Sequence, residues 1–312
     1  MMQEARKTKE RYYAHGKLLL TAEYFVLRGA RSIALPLQYG QRMEVAEGYE
    51  SGLLRWKAFM HDGLWFSCDL SLPDFRIVRS SDAEKAAILQ DVFLAIAQLN
   101  PAFNPGDSLE VHTHINFNKQ WGLGSSSTLI ANLAAWAKVD PFTLNELIFH
   151  GSGFDIACAS AKGPIFYTRK QAPQPIELNY PFLDKLYLVY SGAKKSTRNE
   201  VRRFQKDQLV SDEQIERVNR LSGAFAMASD LYEFQQLIEE HEDLVSQLLG
   251  SPTVKSRYFT DFTGSVKSLG AWGGDFYLIA TSMERNDVHS YFNNKGLCVI
   301  FPWREMVLNP HQ

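Results

Sequence analysis

Residues 121–137 read WGLGSSSTLIANLAAWA. Gly122 and Gly124 leave the backbone bare, and Ser125, Ser126 and Ser127 stand ahead of Leu129, Leu133 and Trp136, with Ile130, Ala134 and Ala137 beside them, at helical spacing. A helix that starts after bare backbone presents unpaired N–H groups to an anion, and the same serines could cap that helix. The Walker-type lysine before the hydroxyl residue is missing. Taken alone, the stretch fits a phosphate seat and a capped core helix equally well.

Three more stretches set polar groups or glycines beside apolar runs. In GSGFDIACA, Asp155 lies between Phe154 and Ile156, so its carboxylate is either a buried cap or an acid/base group. In GKLLLTAEY, Lys17 opens an apolar strand as a strand-end lysine or a charge aimed at a ligand. In SLGAWGGDFYLIAT, Gly273 and Gly274 allow close approach of a ligand or another segment, or form a bulge. The junction SGAKKSTRNEV adds Lys194, Lys195, Ser196, Thr197 and Arg198, which suit an acceptor's carboxylate or phosphate as well as a solvated helix cap. His112 and His114 alternate on a strand without a Cys/His partner nearby and are expected to be exposed.

These groups need a scaffold. The apolar runs of residues 16–37, split by Arg28, Gly29, Ala30 and Arg31, predict strand, turn and strand. Further strands over 43–45, 53–59 and 64–68 suggest an antiparallel sheet. Ala86, Leu89, Val92, Phe93, Ile96 and Leu99 make one helix face over 83–99, and LEVHTHINF alternates as a half-exposed strand. Three prolines in QAPQPIELNYPF mark a boundary near residue 175. Beyond it LYLVYSG, FYLIAT and LCVIFPW read as strands, and STRNEVRRFQKDQ, 213–249 and RNDVHSYFNN as helices, an α+β pattern.

The chain has 312 residues, 45% of them hydrophobic, enough for about two domains with a substantial core. With 33 basic and 35 acidic residues the net charge is -2, so no global attraction to nucleic acid is present. Cys68, Cys158 and Cys298 are far apart without metal-ligand spacing, which points to buried thiols in a reducing compartment. The charged start MMQEARKTKERYY lacks the apolar core of a signal peptide, and no run approaches about 18 unbroken apolar residues. A soluble cytoplasmic protein, monomer or homodimer, without nucleic acid or membrane partner is expected.

Together the four stretches resemble the motifs of the GHMP kinases, the superfamily of galactokinase, homoserine kinase, mevalonate kinase and phosphomevalonate kinase. GKLLLTAEYFVL is similar to their opening strand, WGLGSSST to their phosphate loop, GSGFDIACA to the segment of their catalytic aspartate and LGAWGGDF to their C-terminal glycine motif; all four stand in family order. The resemblance implies an N-terminal domain over 1–175, of the α/β type shared with a small-ribosomal-subunit protein, and a ferredoxin-like C-terminal domain over 176–312. It implies ATP phosphates on Gly122, Leu123, Gly124, Ser125, Ser126 and Ser127, with the Ser126 hydroxyl on Mg²⁺. Asp155 matches the aspartate that accepts the substrate hydroxyl proton, and Lys17 the lysine that holds or polarises it. Glu146 is the nearest match to the glutamate with which many mevalonate kinases bind magnesium. Ser196, Thr197, Gly273 and Gly274 are expected on the substrate side.

The chain departs from the family at His15, where proline is common, at Ser127, where alanine is usual, and at Trp272, inside the glycine run. GSGFDIA and GGD look closest to phosphomevalonate kinases, while GKLLLTAEY is shared with mevalonate kinases. The resemblance implies ATP-dependent phosphorylation of a small acid such as mevalonate or phosphomevalonate; a diphosphomevalonate decarboxylase or a non-catalytic binding relative are the alternatives.

Overall fold

The computed structural model describes residues 8–61, 63–192, 210–270 and 272–309. The chain is α+β and divides into two units. One comprises Met1–Gly16, Tyr39–Lys119 and Leu123–Ser160, the other Lys17–Gln38, Gln120–Gly122 and Ala161–Gln312. Two long paired strands, β1 (Thr8–Leu19) and β2 (Ser32–Glu47), contribute a part to each.

In the first unit, β3 (Leu53–Met60), β4 (Gly63–Ser71), β5 (Ile77–Ser80) and β6 (Ser108–Ile115) join β2 in the order β5-β4-β3-β6-β2. β6 is antiparallel to β2 and parallel to β3, so the sheet is mixed where an antiparallel one was expected. The cause is the crossover from β3 to β6, which passes through β4, β5 and the helix α1 (Ala83–Leu99). Asp82 caps α1 by accepting the Lys85 N–H, and the expected apolar face is buried from Ala86 to Ile96. Trp56, Val111 and Val45 share a core with Phe93, whose ring stacks on Phe75 at 4.9 Å and meets Trp56 and Trp136 edge-on.

The other face of this sheet is polar. Glu110 is buried, held by Lys57 Nζ at 2.9 Å and His112 Nε2 at 2.8 Å, and Phe59 stacks on His114 at 4.7 Å. His112 and His114 are therefore half-buried rather than exposed. Helices α2 (Ser125–Ala137), α3 (Pro141–Ile148) and α4 (Phe154–Ser160) complete the unit and pack on one another.

In the second unit, residues 32–34 of β2 pair with β7 (Ile165–Tyr167), and β7 with β8 (Gln174–Pro175). A separate antiparallel sheet runs in the order β10 (Ser265–Leu269), β11 (Phe276–Ala280), β9 (Leu186–Tyr190) and β12 (Ile300–Pro302). Around it lie α5 (Asp212–Met227), α6 (Leu231–Leu249), α7 (Val254–Tyr258), α8 (Arg285–Asn294) and α9 (Trp303–Met306).

Two local predictions change here. The helix expected over 213–249 breaks at Ala228, which leaves the helical region at ψ 125°, and Asp230 caps the next helix through the Glu233 N–H. The strand expected over 16–27 ends at Leu19, and Phe25–Arg28 is a 3₁₀ turn. All three cysteines are free thiols, Cys68 and Cys158 buried as expected but Cys298 exposed.

Candidate active site

In the first unit, α2 begins on Gly124, whose φ of 93° places the chain in the left-handed region that glycine adopts without strain. No side chain caps the helix. The Ser127 hydroxyl turns back onto the Gly124 carbonyl at 2.9 Å, and Thr128 donates to Gln41 Oε1 at 3.0 Å while Asn132 donates to the Gln41 carbonyl. Gln41, which lies in none of the sequence motifs, thus pins the first half of α2 to β2. The serine amides of the first turn are left without a side-chain acceptor among the described residues, and the Ser126 hydroxyl is exposed. Such a helix start favours a negative charge through its oriented N–H groups and its dipole.

Asp155 lies in the first turn of α4, behind Gly153 at φ 93°. Its side chain is half-buried between Phe154 and the buried Ile156, and Oδ1 accepts the Ile156 N–H at 3.1 Å. Since α2 and α4 pack together, the uncapped helix start and this carboxylate belong to one helical layer. Glu146 is exposed on α3, opposite the buried Leu144 and Asn145. Among the described residues no group of three or more His, Cys, Asp or Glu is arranged to hold a metal ion. Ser126 and Asp155 are nonetheless hard oxygen donors of the kind Mg²⁺ takes together with phosphate oxygens.

In the second unit, Lys17 is half-buried near the end of β1. The segment Gln120–Gly122 is held by an aromatic box: Trp121 lies 5.3 Å from Phe301, 6.2 Å from Phe276 and 6.4 Å from Tyr190. The Tyr190 hydroxyl donates to the Gln120 carbonyl at 3.3 Å, and burial together with the Asp275 carboxylate raises its pKa, which keeps that donor protonated. Gly122 has φ 69° and faces the carboxylate of the buried Asp275, itself left-handed at φ 54°. The Gly273 N–H donates to the Ser268 hydroxyl at 2.8 Å, and Trp272 is half-buried with its N–H on the Tyr24 hydroxyl. The next residue, Leu123, belongs to the first unit and is fully buried. Ser196 and Thr197, with the rest of the basic junction, lie outside the described residues.

No protein-family model and no curated protein sequence matches the chain. Solved structures do. The mevalonate kinase of Methanococcus jannaschii superposes with a TM-score of 0.71 at 17% identity, over 95% of this chain and 98% of that one. The phosphomevalonate kinase of Streptococcus pneumoniae, in complex with phosphomevalonate and AMPPNP, gives 0.69 at 14% identity over 94% and 99%. The chain has the GHMP kinase fold. The mevalonate diphosphate decarboxylase of Staphylococcus aureus gives 0.61 at 13% identity over 95% and 93%, so the GHMP fold accommodates a lyase as well. No helix among the described residues is long and apolar enough to cross a membrane.

Proposed function

We propose that this chain is an ATP-dependent phosphotransferase acting on a small acid of the mevalonate type. The observation that carries the reading is the uncapped start of α2, with bare glycine before it and an exposed serine hydroxyl in its first turn. Amides fixed at a helix start stabilise an anion without reorganising, and each hydrogen bond to a charged group contributes about 1.5 to 3 kcal/mol. That term takes the place of the lysine absent from the loop. The segment from Gly122 to Ser127 would hold ATP phosphates.

Mg²⁺, when bound, would neutralise phosphate charge, with Ser126 and a carboxylate, Asp155 or Glu146, as its protein oxygens. Phosphoryl transfer passes through a loose transition state, so alignment and charge neutralisation outweigh basicity. In this reading Asp155 receives the acceptor hydroxyl proton and Lys17 offsets negative charge on the acceptor, with Ser196, Thr197, Gly273 and Gly274 on the acceptor side. The three free thiols favour a reducing compartment such as the cytoplasm.

The test is an ADP-release assay of the purified chain against mevalonate, phosphomevalonate, homoserine and simple sugars. Turnover with one of the two mevalonate-type acids supports the reading. Carbon dioxide release from diphosphomevalonate would instead assign the lyase reaction of the decarboxylase that shares the fold. No turnover with any of them would leave a ligand-binding protein.

A further inference from the structure

The sequence TAEY turns the chain through two left-handed residues that are not glycine. Ala22 and Tyr24 both have φ 66°. Tyr24, with ψ -42°, closes a γ-turn in which the Phe25 N–H donates to the Glu23 carbonyl at 2.8 Å. A γ-turn of positive φ is rare and strained, and under a bulky side chain it persists only where the surroundings over-determine it.

Side chains from distant elements supply that determination. The Ala22 N–H donates to His241 Nε2 at 2.9 Å, and the Thr21 hydroxyl accepts the Ile33 N–H at 2.8 Å and meets the Ser222 hydroxyl at 2.7 Å. Between the two left-handed residues, Glu23 Oε1 accepts from Lys267 Nζ at 2.6 Å. Glu242 Oε1 lies 3.6 Å from the same ammonium, and His241 Nε2 lies 3.3 Å from Glu23 Oε2. His241 and Lys267 are 0% exposed and the two glutamates 3%, so four ionisable groups share one buried site.

The protons can be assigned. His241 accepts at Nε2, so its proton sits on Nδ1 and the ring is neutral, in keeping with a pKa that burial pulls well below the ordinary value. Burial pushes both glutamates up, Glu242 to about 8, so Glu242 keeps its proton at neutral pH, while the Lys267 ammonium and its hydrogen bond oppose that rise at Glu23 and favour its charged form. Lys267 and Glu23 then form one ion pair, and the cluster is neutral as a whole. Removing one partner of such a pair would leave a buried charge without compensation.

The turn has an output. The Tyr24 hydroxyl accepts the Trp272 N–H at 2.9 Å. Lys267 also donates to the Ser268 carbonyl at 3.2 Å, and the Ser268 hydroxyl accepts the Gly273 N–H at 2.8 Å. Both partners of the ion pair therefore lead to the glycine turn at 272–274.

We infer that Glu23 is a positioning residue: through its pairing with Lys267 it fixes the strained turn at 21–24, and through Tyr24 it sets the backbone of the glycine turn. The inference rests on the phosphotransfer reading only for its effect on the acceptor.

Hydrogen exchange at the Trp272 amide, resolved by fragmentation mass spectrometry, tests it without substrate. Tyr24→Phe and Glu23→Gln each speed that exchange at least tenfold, the double variant is within twofold of the faster single one, and the Ile130 and Leu133 amides keep their parent rates. A Trp272 rate within twofold of the parent in Glu23→Gln, or additive effects in the double variant, overturns the proposal. Should Glu23→Gln alone fail to fold, the pair Glu23→Gln with Lys267→Met removes both charges together; faster exchange at Trp272 with unchanged controls supports the proposal, and a parent-like rate overturns it. In the ADP-release assay Glu23→Gln raises the acceptor KM at least fivefold with kcat within twofold, whereas a loss of kcat at unchanged KM counts against it. A parent protein without turnover overturns the kinase reading and leaves the exchange result to decide.

Discussion

The Asp275 carboxylate fills the space that a side chain on Gly122 would need: a Cβ there would stand 2.6 Å from Oδ1. The same carboxylate would lie 3.0 Å from a Cβ on Gly270, so two glycines, 148 residues apart by number (270 less 122), are bare for one reason.

Gly122→Ala should therefore be costly although the residue is only half-buried. Overpacking against a fixed carboxylate and a left-handed φ together predict a loss of about 1 to 3 kcal/mol, read from denaturant unfolding. The same substitution in an Asp275→Gly background should cost less, and equal costs in the two backgrounds would exclude the clash as the cause.

Asp155→Asn should reduce kcat by about 10² to 10⁴-fold, the range for loss of a positioned proton acceptor, while nucleotide affinity stays within about threefold. Calorimetric titration with a non-hydrolysable ATP analogue separates the two effects. Unchanged turnover would remove Asp155 from the chemistry.

For Ser126→Ala the expectation is reversed in stability. An exposed hydroxyl without structural contacts should change unfolding free energy by no more than about 0.5 kcal/mol. The Mg²⁺ concentration for half-maximal activity should rise, and an unchanged magnesium dependence would take Ser126 out of the metal site.

The buried cluster gives stability a pH dependence with a definite sign. Glu242 has its pKa raised from 4.5 to about 8, so over that range the folded chain binds more protons than the unfolded one and stability falls as pH rises. Glu23, also raised by burial, acts in the same sense. His241, lowered well below 6.5, acts oppositely, but only while the unfolded ring is still protonated. Between pH 7 and 8 the carboxyl effect is isolated and should approach about 1.4 kcal/mol per pH unit at most. Urea midpoints across that interval should decline in the parent and lose most of that slope in Glu242→Gln.

Local patterns were legible where local forces decide. The 3.6-residue period over 83–99 marks α1 to the residue, and the alternation of LEVHTHINF marks β6. The glycine-serine stretch announces a helix start on bare backbone, but whether a serine capped it depended on where the hydroxyls turned. Ser127 bonds the Gly124 carbonyl instead, which leaves the first-turn amides to other partners. The segment TAEYFV reads as strand because Tyr, Phe and Val favour one, and the override comes from Lys267, 244 residues away. A glutamate inside an apolar run and a lysine between Val266 and Ser268 were its only trace in the sequence. Parallel pairing of β3 with β6 is likewise set by a crossover that no short window contains.

The second unit takes Lys17–Gln38 from one end of the chain and Ala161–Gln312 from the other. On the ribosome, then, the segment KLLLTAEYFV leaves the exit tunnel long before Lys267, β7 or α6 has been made. Until α6 and Lys267 have been made it remains an apolar stretch without its full core, carrying a glutamate without its cation. A protein cut off before residue 267 would keep that glutamate without its lysine and that apolar stretch without its full core.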